Sequence, residues 1–225
     1  FSRAAARRAR RVRVMAATPP SGRKLSRRER ELQFRIGNVV EAALEVFSER
    51  SFASVSIDDI ARRAELSVGT LYKLFASKED IYAAVVSRAQ RGFFEHMENC
   101  MDDARGCRDQ LVAAVRGALE YFAIHGRAFR IYNSRAEGFS SEVRDRLFTE
   151  ARAHQEALMS RITELCQLGI DQGVFKPGVP ADMLARVILG LPHSYVVYWL
   201  ENQGTDLLDH VPSAVETVER MLGTD

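Results

Sequence analysis

Cysteine is scarce in this chain, and what there is forms no pattern. Cys100, Cys107 and Cys166 are an odd three with no CxxC among them, which argues against a disulfide framework and for reduced thiols in a cytoplasmic protein. Long apolar runs are missing too. No stretch of eighteen or more apolar residues occurs, so no membrane-spanning helix is expected. The basic opening leads into no apolar core, so no secretory signal is read. Alternation with period two is never sustained long enough for a strand. Histidines number only five, and His154 follows Glu150 by four positions rather than the three of a Glu-x-x-His metal pair. There is no serine elbow, nucleotide loop or paired-carboxylate site. An enzyme, a metal and a cofactor are therefore not expected.

What is present is ordinary in amount and uneven in placement. The 225 residues are 46% hydrophobic and 28% charged, enough for one domain or two of modest size. The net charge of +2 conceals a split: residues 1–30 carry eleven Lys or Arg against the single acid Glu29, a net of +10, and the remainder a net of −8. A basic arm on an acidic body suggests a polyanion for the arm and a different task for the body. Met15 could equally be the start of translation, with "FSRAAARRARRVRV" ahead of it. A working arm and an incidental basic leader both stand at this point.

"ATPPSG" at 17–22 is a linker. Ser26 with Glu29 three positions on forms a capping box, and Ile36, Val40, Ala43, Leu44 and Phe47 put one apolar stripe on a long first helix. Ser56 and Asp59 open a second helix through "IDDIARRAEL". Ser67 caps a third, with Leu71, Leu74 and Phe75 as its apolar side, and Ser77 with Asp80 opens a fourth that runs to about 101. Further helices are expected over 109–125, about 127–136, Ser141 to Gly173, Ala181 to Asn202 with a kink at Gly190 and Pro192, and Ser213, boxed by Glu216, to Gly223. This is an all-α chain of about nine helices. Residues 1–27 are the basic arm and linker, 28–83 an N-terminal three-helix helix-turn-helix domain, and 84–225 a C-terminal helical domain.

The third helix, within "SVGTLYKLFASKED", has about two turns and cannot be stable alone. In a helix-turn-helix such a segment lies in the major groove, held through one apolar side. Val68, Thr70 and Lys73 occupy the other side, with Tyr72 at its flank. Gly69 costs about 1 kcal/mol against alanine in a helix, which close approach of DNA to the backbone would justify. Tyr72 and Lys73 suit phosphate oxygens. Lys78 in the first turn of the next helix opposes the dipole, which argues for an external anion there. The plainer alternatives are Tyr72 as a core edge and Lys78 as a solvated lysine.

"VFSERSFASVSIDDIARRAELSVGTLYKLFASKEDIYAAVV" (46–86) closely resembles the DNA-binding domain of TetR-family transcriptional regulators. Phe47, Ser56, Ile57, Ile60, Ala61, Ala64, Ser67, Gly69, Thr70, Leu71, Tyr72, Phe75, Lys78 and Glu79 carry the match. Ser51 stands where the family usually has glycine, which suggests a slightly altered turn. The likeness is looser over "LGIDQGVFKPGVPADMLARVILGL". The resemblance implies a homodimer that represses transcription on a roughly palindromic operator and is released by a small molecule in the C-terminal domain. It also implies DNA contacts at Thr70, Tyr72, Lys73 and Lys78, and Ser67 and Gly69 at the start of the same helix are counted with them. Ser56, Arg28 and Arg30 are added as phosphate contacts, and Val68 at a base-contact position, where its tip could meet a thymine methyl.

In the body, aromatics at helical spacing read first as core. Together with the family habit they also fit an apolar cavity, lined by Phe94, Met97, Phe122, Phe129, Tyr132, Arg135, Phe148, His154, Tyr195 and Trp199. An apolar or aromatic ligand is the expectation, with a buried, satisfied histidine as the plainer reading of His154. The resemblance places Leu184, Val187, Leu191, Val215, Val218 and Leu222 in an intersubunit four-helix bundle; burial within one subunit is the alternative. A rival reading of the whole is a non-specific nucleic-acid or anionic-membrane binder driven by residues 1–30. For the regulator, no membrane partner is expected.

Overall fold

A computed structural model describes residues 25–126, 141–175, 178–202 and 204–223, with residues 141–151 as helical backbone only. Among the described residues there are eight α-helices and no β-strand: α1 (Arg27–Glu49), α2 (Ile57–Arg63), α3 (Val68–Leu74), α4 (Lys78–Asp102), α5 (Gly106–Ile124), α6 (Ser141–Asp171), α7 (Ala181–Glu201) and α8 (Val211–Met221). Short 3-10 turns stand at Phe52–Ser54 and Leu207–His210. The helix expected at about 127–136 lies outside the described residues, as do Phe129, Tyr132 and Arg135 and the side chain of Phe148. The chain divides into two compact units, one of residues 1–89 with 130–148 and one of 90–129 with 149–225.

In the first unit, local hydrogen bonding sets the helix starts. Ser26 and Glu29 cap α1 reciprocally, and Ser56 and Asp59 do the same for α2. The α1 stripe then buries Ile36, Val40, Ala43 and Phe47, joined by Val39, against Ile60 and Ala61 of α2 and Leu71 and Leu74 of α3. Ile81, Tyr82 and Val85 of α4 complete this core. Phe47, Phe52 and Tyr82 meet ring to ring at centroid distances of 5.0 to 5.7 Å. Ser51 has φ −61° and ψ 150°, ordinary extended backbone, so the turn after α1 has no need of glycine.

In the second unit, α5 begins three residues earlier than its sequence signal, at Gly106, whose φ of +82° suits glycine. Helix α6 ends in a Schellman motif: Gly173 has φ +69°, its N–H donates to the Ile170 carbonyl at 3.0 Å, and the Val174 N–H to that of Gly169 at 2.8 Å. Helix α7 is unbroken across Gly190 and Pro192, and Pro192 is buried. Its length and composition would allow it to cross a membrane, although no continuous apolar run marks it. Leu184, Ala185, Ile188 and Val196 instead face the core of this unit. Helix α8 starts at Val211 with Pro212 in its first turn, not at Ser213. Proline there has its φ pre-set and lacks the orphan N–H, so no serine cap is needed. The Ser213 hydroxyl donates to the His210 carbonyl and the Tyr195 hydroxyl, both at 3.1 Å. The box in this region is Asp206 with Asp209, which opens the turn Leu207–His210.

The thiols are unpaired and Cys107 and Cys166 are buried. Burial, with Cys107 as a smaller second cause, pushes the Cys166 thiol up to about 11, so it stays neutral.

Candidate nucleic-acid interface

Helix α3 is presented by what holds it from behind. Leu71 and Leu74 are buried, and Phe75 closes the end with its N–H on the Leu71 carbonyl at 2.9 Å. Ser67 caps the start, its hydroxyl accepting from the Thr70 N–H at 3.2 Å and lying 2.8 Å from the Thr70 hydroxyl. The turn from α2 is a Schellman motif built on Glu65 at φ +55°. The Glu65 N–H reaches the Arg62 carbonyl at 3.2 Å and the Leu66 N–H that of Ala61 at 2.9 Å. A non-glycine residue in that conformation costs about 1–2 kcal/mol, which the packing of α2 and α3 must offset. The reward is a tight, fixed angle between the two helices.

Ion pairs hold α2 on its support. Arg63 bridges to Glu45 at 2.7 Å and to Glu49 at 3.6 Å, two carboxylates one turn apart on α1. Arg50 reaches Asp59 at 3.1 Å and also donates to the Ser54 carbonyl. The Ser56 backbone N–H and hydroxyl, and less strongly the Arg50 charge, hold the Asp59 carboxyl below its usual range.

The outer side of α3 is open at Gly69, Tyr72 and Lys73, while Val68 packs in part against the core. Tyr72 is 50% exposed, Gly69 and Lys73 are exposed, and Val68 and Thr70 are half-buried. Arg28 and Arg30 are exposed in the first turn of α1. A Cβ at Gly69 would meet nothing within 4 Å, so packing inside the chain does not require glycine there. Gly69→Ala should stabilise the unit by up to about 1 kcal/mol in thermal unfolding while weakening operator binding. Unchanged binding would remove close approach to DNA as the reason for the glycine.

Ser56 and Lys78 are differently placed from their sequence reading. The Ser56 hydroxyl donates to Asp59 at 2.8 Å, so it is already spent on the cap. The Lys78 ammonium donates to the carbonyls of Phe52 and Val55, each at 2.8 Å, and lies 4.2 Å from the centre of the Phe52 ring. These carbonyls supply the negative partners that the dipole argument assigned to an external anion. Lys78 therefore braces the turn ahead of α2. Sequence reasoning missed this brace, and also the Arg50 and Arg63 pairs. Only the i,i+4 spacing of Glu45 and Glu49 hinted at a cation from another helix.

The cavity and dimer residues divide as well. Phe94, Met97 and Phe122 are buried in the core of the second unit. His154 is exposed rather than buried; its ring stacks on Phe94 at 5.3 Å. The Trp199 indole N–H donates to the Thr205 carbonyl at 2.8 Å, and the Tyr195 hydroxyl is engaged by Ser213. Leu184, Val218 and Leu222 have 0 to 1% exposure and are consumed by their own subunit's core, not left for a partner. Leu191 and Val215 are partly buried against that core, and Val187 remains exposed.

A short capped helix with an open outer face, fixed through a tight turn to a braced second helix, defines a helix-turn-helix DNA-binding protein. Residues 39–85 match the family model of bacterial regulatory proteins of the tetR family, and residues 104–216 that of the tetracyclin repressor-like C-terminal domain. The chain belongs to the TetR family of DNA-binding transcriptional regulators. Among similar proteins is the transcriptional repressor KstR2 of Mycobacterium tuberculosis, 26% identical over 162 residues that cover 70% of this chain and 78% of that one. The fatty acid metabolism regulator protein of Bacillus subtilis is 24% identical over 179 residues, covering 79% and 90%. The solved structure of FadR from Bacillus subtilis in complex with stearoyl-CoA shares the fold at a TM-score of 0.68 and 21% identity, covering 84% of this chain and 99% of that one.

Proposed function

We propose that the chain binds a roughly palindromic operator as a homodimer and is released by an apolar, acyl-type ligand in its second unit. The outer face of α3 carries the operator reading, since Gly69, Tyr72 and Lys73 are exposed there, while Val68 beside them also packs in part against the unit's own core. Val68 and Gly69 stand for base readout, Tyr72 and Lys73 for phosphates, and Arg28 and Arg30 for phosphates farther along the backbone. Operators selected from random duplex DNA should contain two half-sites. Tyr72→Ala should weaken binding to all sequences alike, by about tenfold for a dimer that loses roughly 0.5–1.5 kcal/mol per subunit. Val68 substitutions should change the preferred base instead. Full affinity in Tyr72→Ala would remove that residue from the interface.

Dimerisation is supported by an apolar face that the chain's own core does not use. Met183, Val187 and Tyr198, with exposures of 51, 44 and 54%, lie on one side of α7. A second copy's α7 and α8 are the fitting cover. Val187→Glu should convert a dimer to a monomer in sedimentation and abolish tight binding to the full palindrome. A dimer that survives would place the interface elsewhere.

The ligand class rests on the relatives: one regulates fatty acid metabolism, and a neighbour of the same fold is bound to stearoyl-CoA. A long-chain acyl thioester is therefore the first compound to titrate against the operator complex. Helix α4 runs from the first unit into the second and is the proposed lever. The ligand must bind better to a form whose recognition helices miss the roughly 34 Å half-site spacing. Equal spacing in ligand-bound and DNA-bound forms would rule this out. A regulator of this kind acts in the cytoplasm.

A further inference from the structure

Among the described helices, α7 alone is long and apolar enough to span a membrane, yet only 28% of its most apolar stretch is buried within the subunit. We propose that a second copy covers it through one defined contact, in which the two α7 helices run antiparallel and cross at Gly190. This crossing rests on the homodimer reading and specifies it.

Gly190 locates the crossing. Glycine inside a helix is destabilising relative to alanine, so its presence needs a reason. The subunit itself supplies none. Gly190 is exposed, has no positive φ, and a Cβ there would meet nothing within 4 Å. The Ser194 hydroxyl, one turn on, donates to the Gly190 carbonyl at 3.2 Å, so it brings no orphan donor to an apolar contact. A bare backbone at this point lets a facing helix come closer than the usual axial distance of about 8–10 Å.

The residues around Gly190 indicate what the facing helix is. Exposed Met183 and half-buried Val197 lie equally far before and after it, nearly two turns each way and on the same line of the helix. An antiparallel crossing at Gly190 therefore sets Met183 against the partner subunit's Val197, and Val197 against the partner subunit's Met183. Such mutual exchange is the condition for a two-fold contact between identical surfaces. Val187 and Tyr198 widen the apolar seam on one flank, and exposed Arg186 and His193 form a polar rim on the other. Antiparallel packing also brings the positive end of each helix toward the negative end of the other. A bilayer fits this surface poorly, because Asp182, Arg186 and Glu201 are exposed on the same helix.

The test places one cysteine at a time in the full chain, Gly190→Cys or Tyr198→Cys, and compares each variant with the wild type under a mild oxidant. A disulfide needs Cα atoms within about 7 Å. The two copies of residue 190 meet at the crossing, so Gly190→Cys should run as a covalent dimer on a non-reducing gel. The two copies of residue 198 stand roughly 24 Å apart, about sixteen residues of helical rise. Tyr198→Cys should therefore stay uncrosslinked, like the wild type, whose Cys107 and Cys166 are buried. Gly190→Leu, which drives a branched side chain into the contact, should weaken dimerisation at least tenfold in sedimentation while circular dichroism shows unchanged helix content. In a chain that sediments as a dimer, absence of the Gly190→Cys cross-link, or its appearance with Tyr198→Cys instead, overturns the proposal. Full dimer affinity in Gly190→Leu does so too. Failure of the homodimer reading looks different: the wild type then stays monomeric, and pelleting of that monomer with phospholipid vesicles would assign the face to a membrane.

Discussion

Gly169→Ala should destabilise the second unit by about 3 kcal/mol, although the same change in an open helix gains about 1 kcal/mol. The sign is reversed by Phe175, which is 1% exposed and lies on the glycine. A Cβ at position 169 would clash with three carbons along one edge of the Phe175 ring. The ring cannot slide away cheaply, because the Phe175 backbone N–H donates to the Gly169 carbonyl at 3.1 Å and that of Val174 to the same oxygen at 2.8 Å. The Arg108 guanidinium lies 5.6 Å from the ring centre and donates to the Val174 carbonyl at 3.1 Å. Accommodating one methyl group thus requires expelling an aromatic ring or unwinding the end of α6. Expelling a phenylalanine forfeits several kcal/mol of burial, while overpacking costs typically 1–3 kcal/mol. Thermal unfolding should show a midpoint lower by about 6–12 °C for a chain of this size. An unchanged or raised midpoint would show that the contact at the end of α6 is loose.

That contact also marks where the sequence stops being legible. Gly169 fits the helical spacing of Leu158, Ile162 and Leu165, yet nothing local announces that a residue six positions later will fold back onto it. Capping is the opposite case. Ser26 with Glu29 and Ser56 with Asp59 could be read directly, because both partners lie within one turn and the geometry follows from the spacing. Ser213 with Glu216 had the same spacing and did not form a box, since Pro212 opened α8 without one. Apolar periodicity found the inner side of α7 and α8 but not who covers it. Leu184, Val218 and Leu222 are spent inside the subunit, while Met183 and Tyr198, absent from the sequence-based interface, are left outside. A stripe has a width, and only the packed structure shows which part is used. His154 lay on an apolar spacing and is exposed all the same, with one face on Phe94.

Lys78→Met should cost the first unit about 2–3 kcal/mol and weaken operator binding through displacement of α2, not through a lost phosphate contact. Methionine keeps the stem and removes the ammonium, leaving the Phe52 and Val55 carbonyls without the donor they share at 2.8 Å. Hydrogen bonds to a charged group are worth about 1.5–3 kcal/mol each, and the cation over an aromatic ring adds about 0.5–1. The side chain is half-buried, so water replaces part of both and the sum is discounted accordingly. The carbonyls belong to the turn immediately before Ser56, so their release loosens the start of α2 and, through the Glu65 turn, the angle of α3. A phosphate-contacting lysine would behave differently. Its loss would leave unfolding unchanged and make the salt dependence of operator binding shallower by about 1 for each contact. Lys78→Arg sharpens the contrast. A guanidinium serves a phosphate well, but its planar fork fits poorly where one compact ammonium points at two carbonyls. Reduced stability in both variants with an unchanged salt slope establishes the brace. Full stability with a shallower slope in Lys78→Met would return Lys78 to the DNA interface.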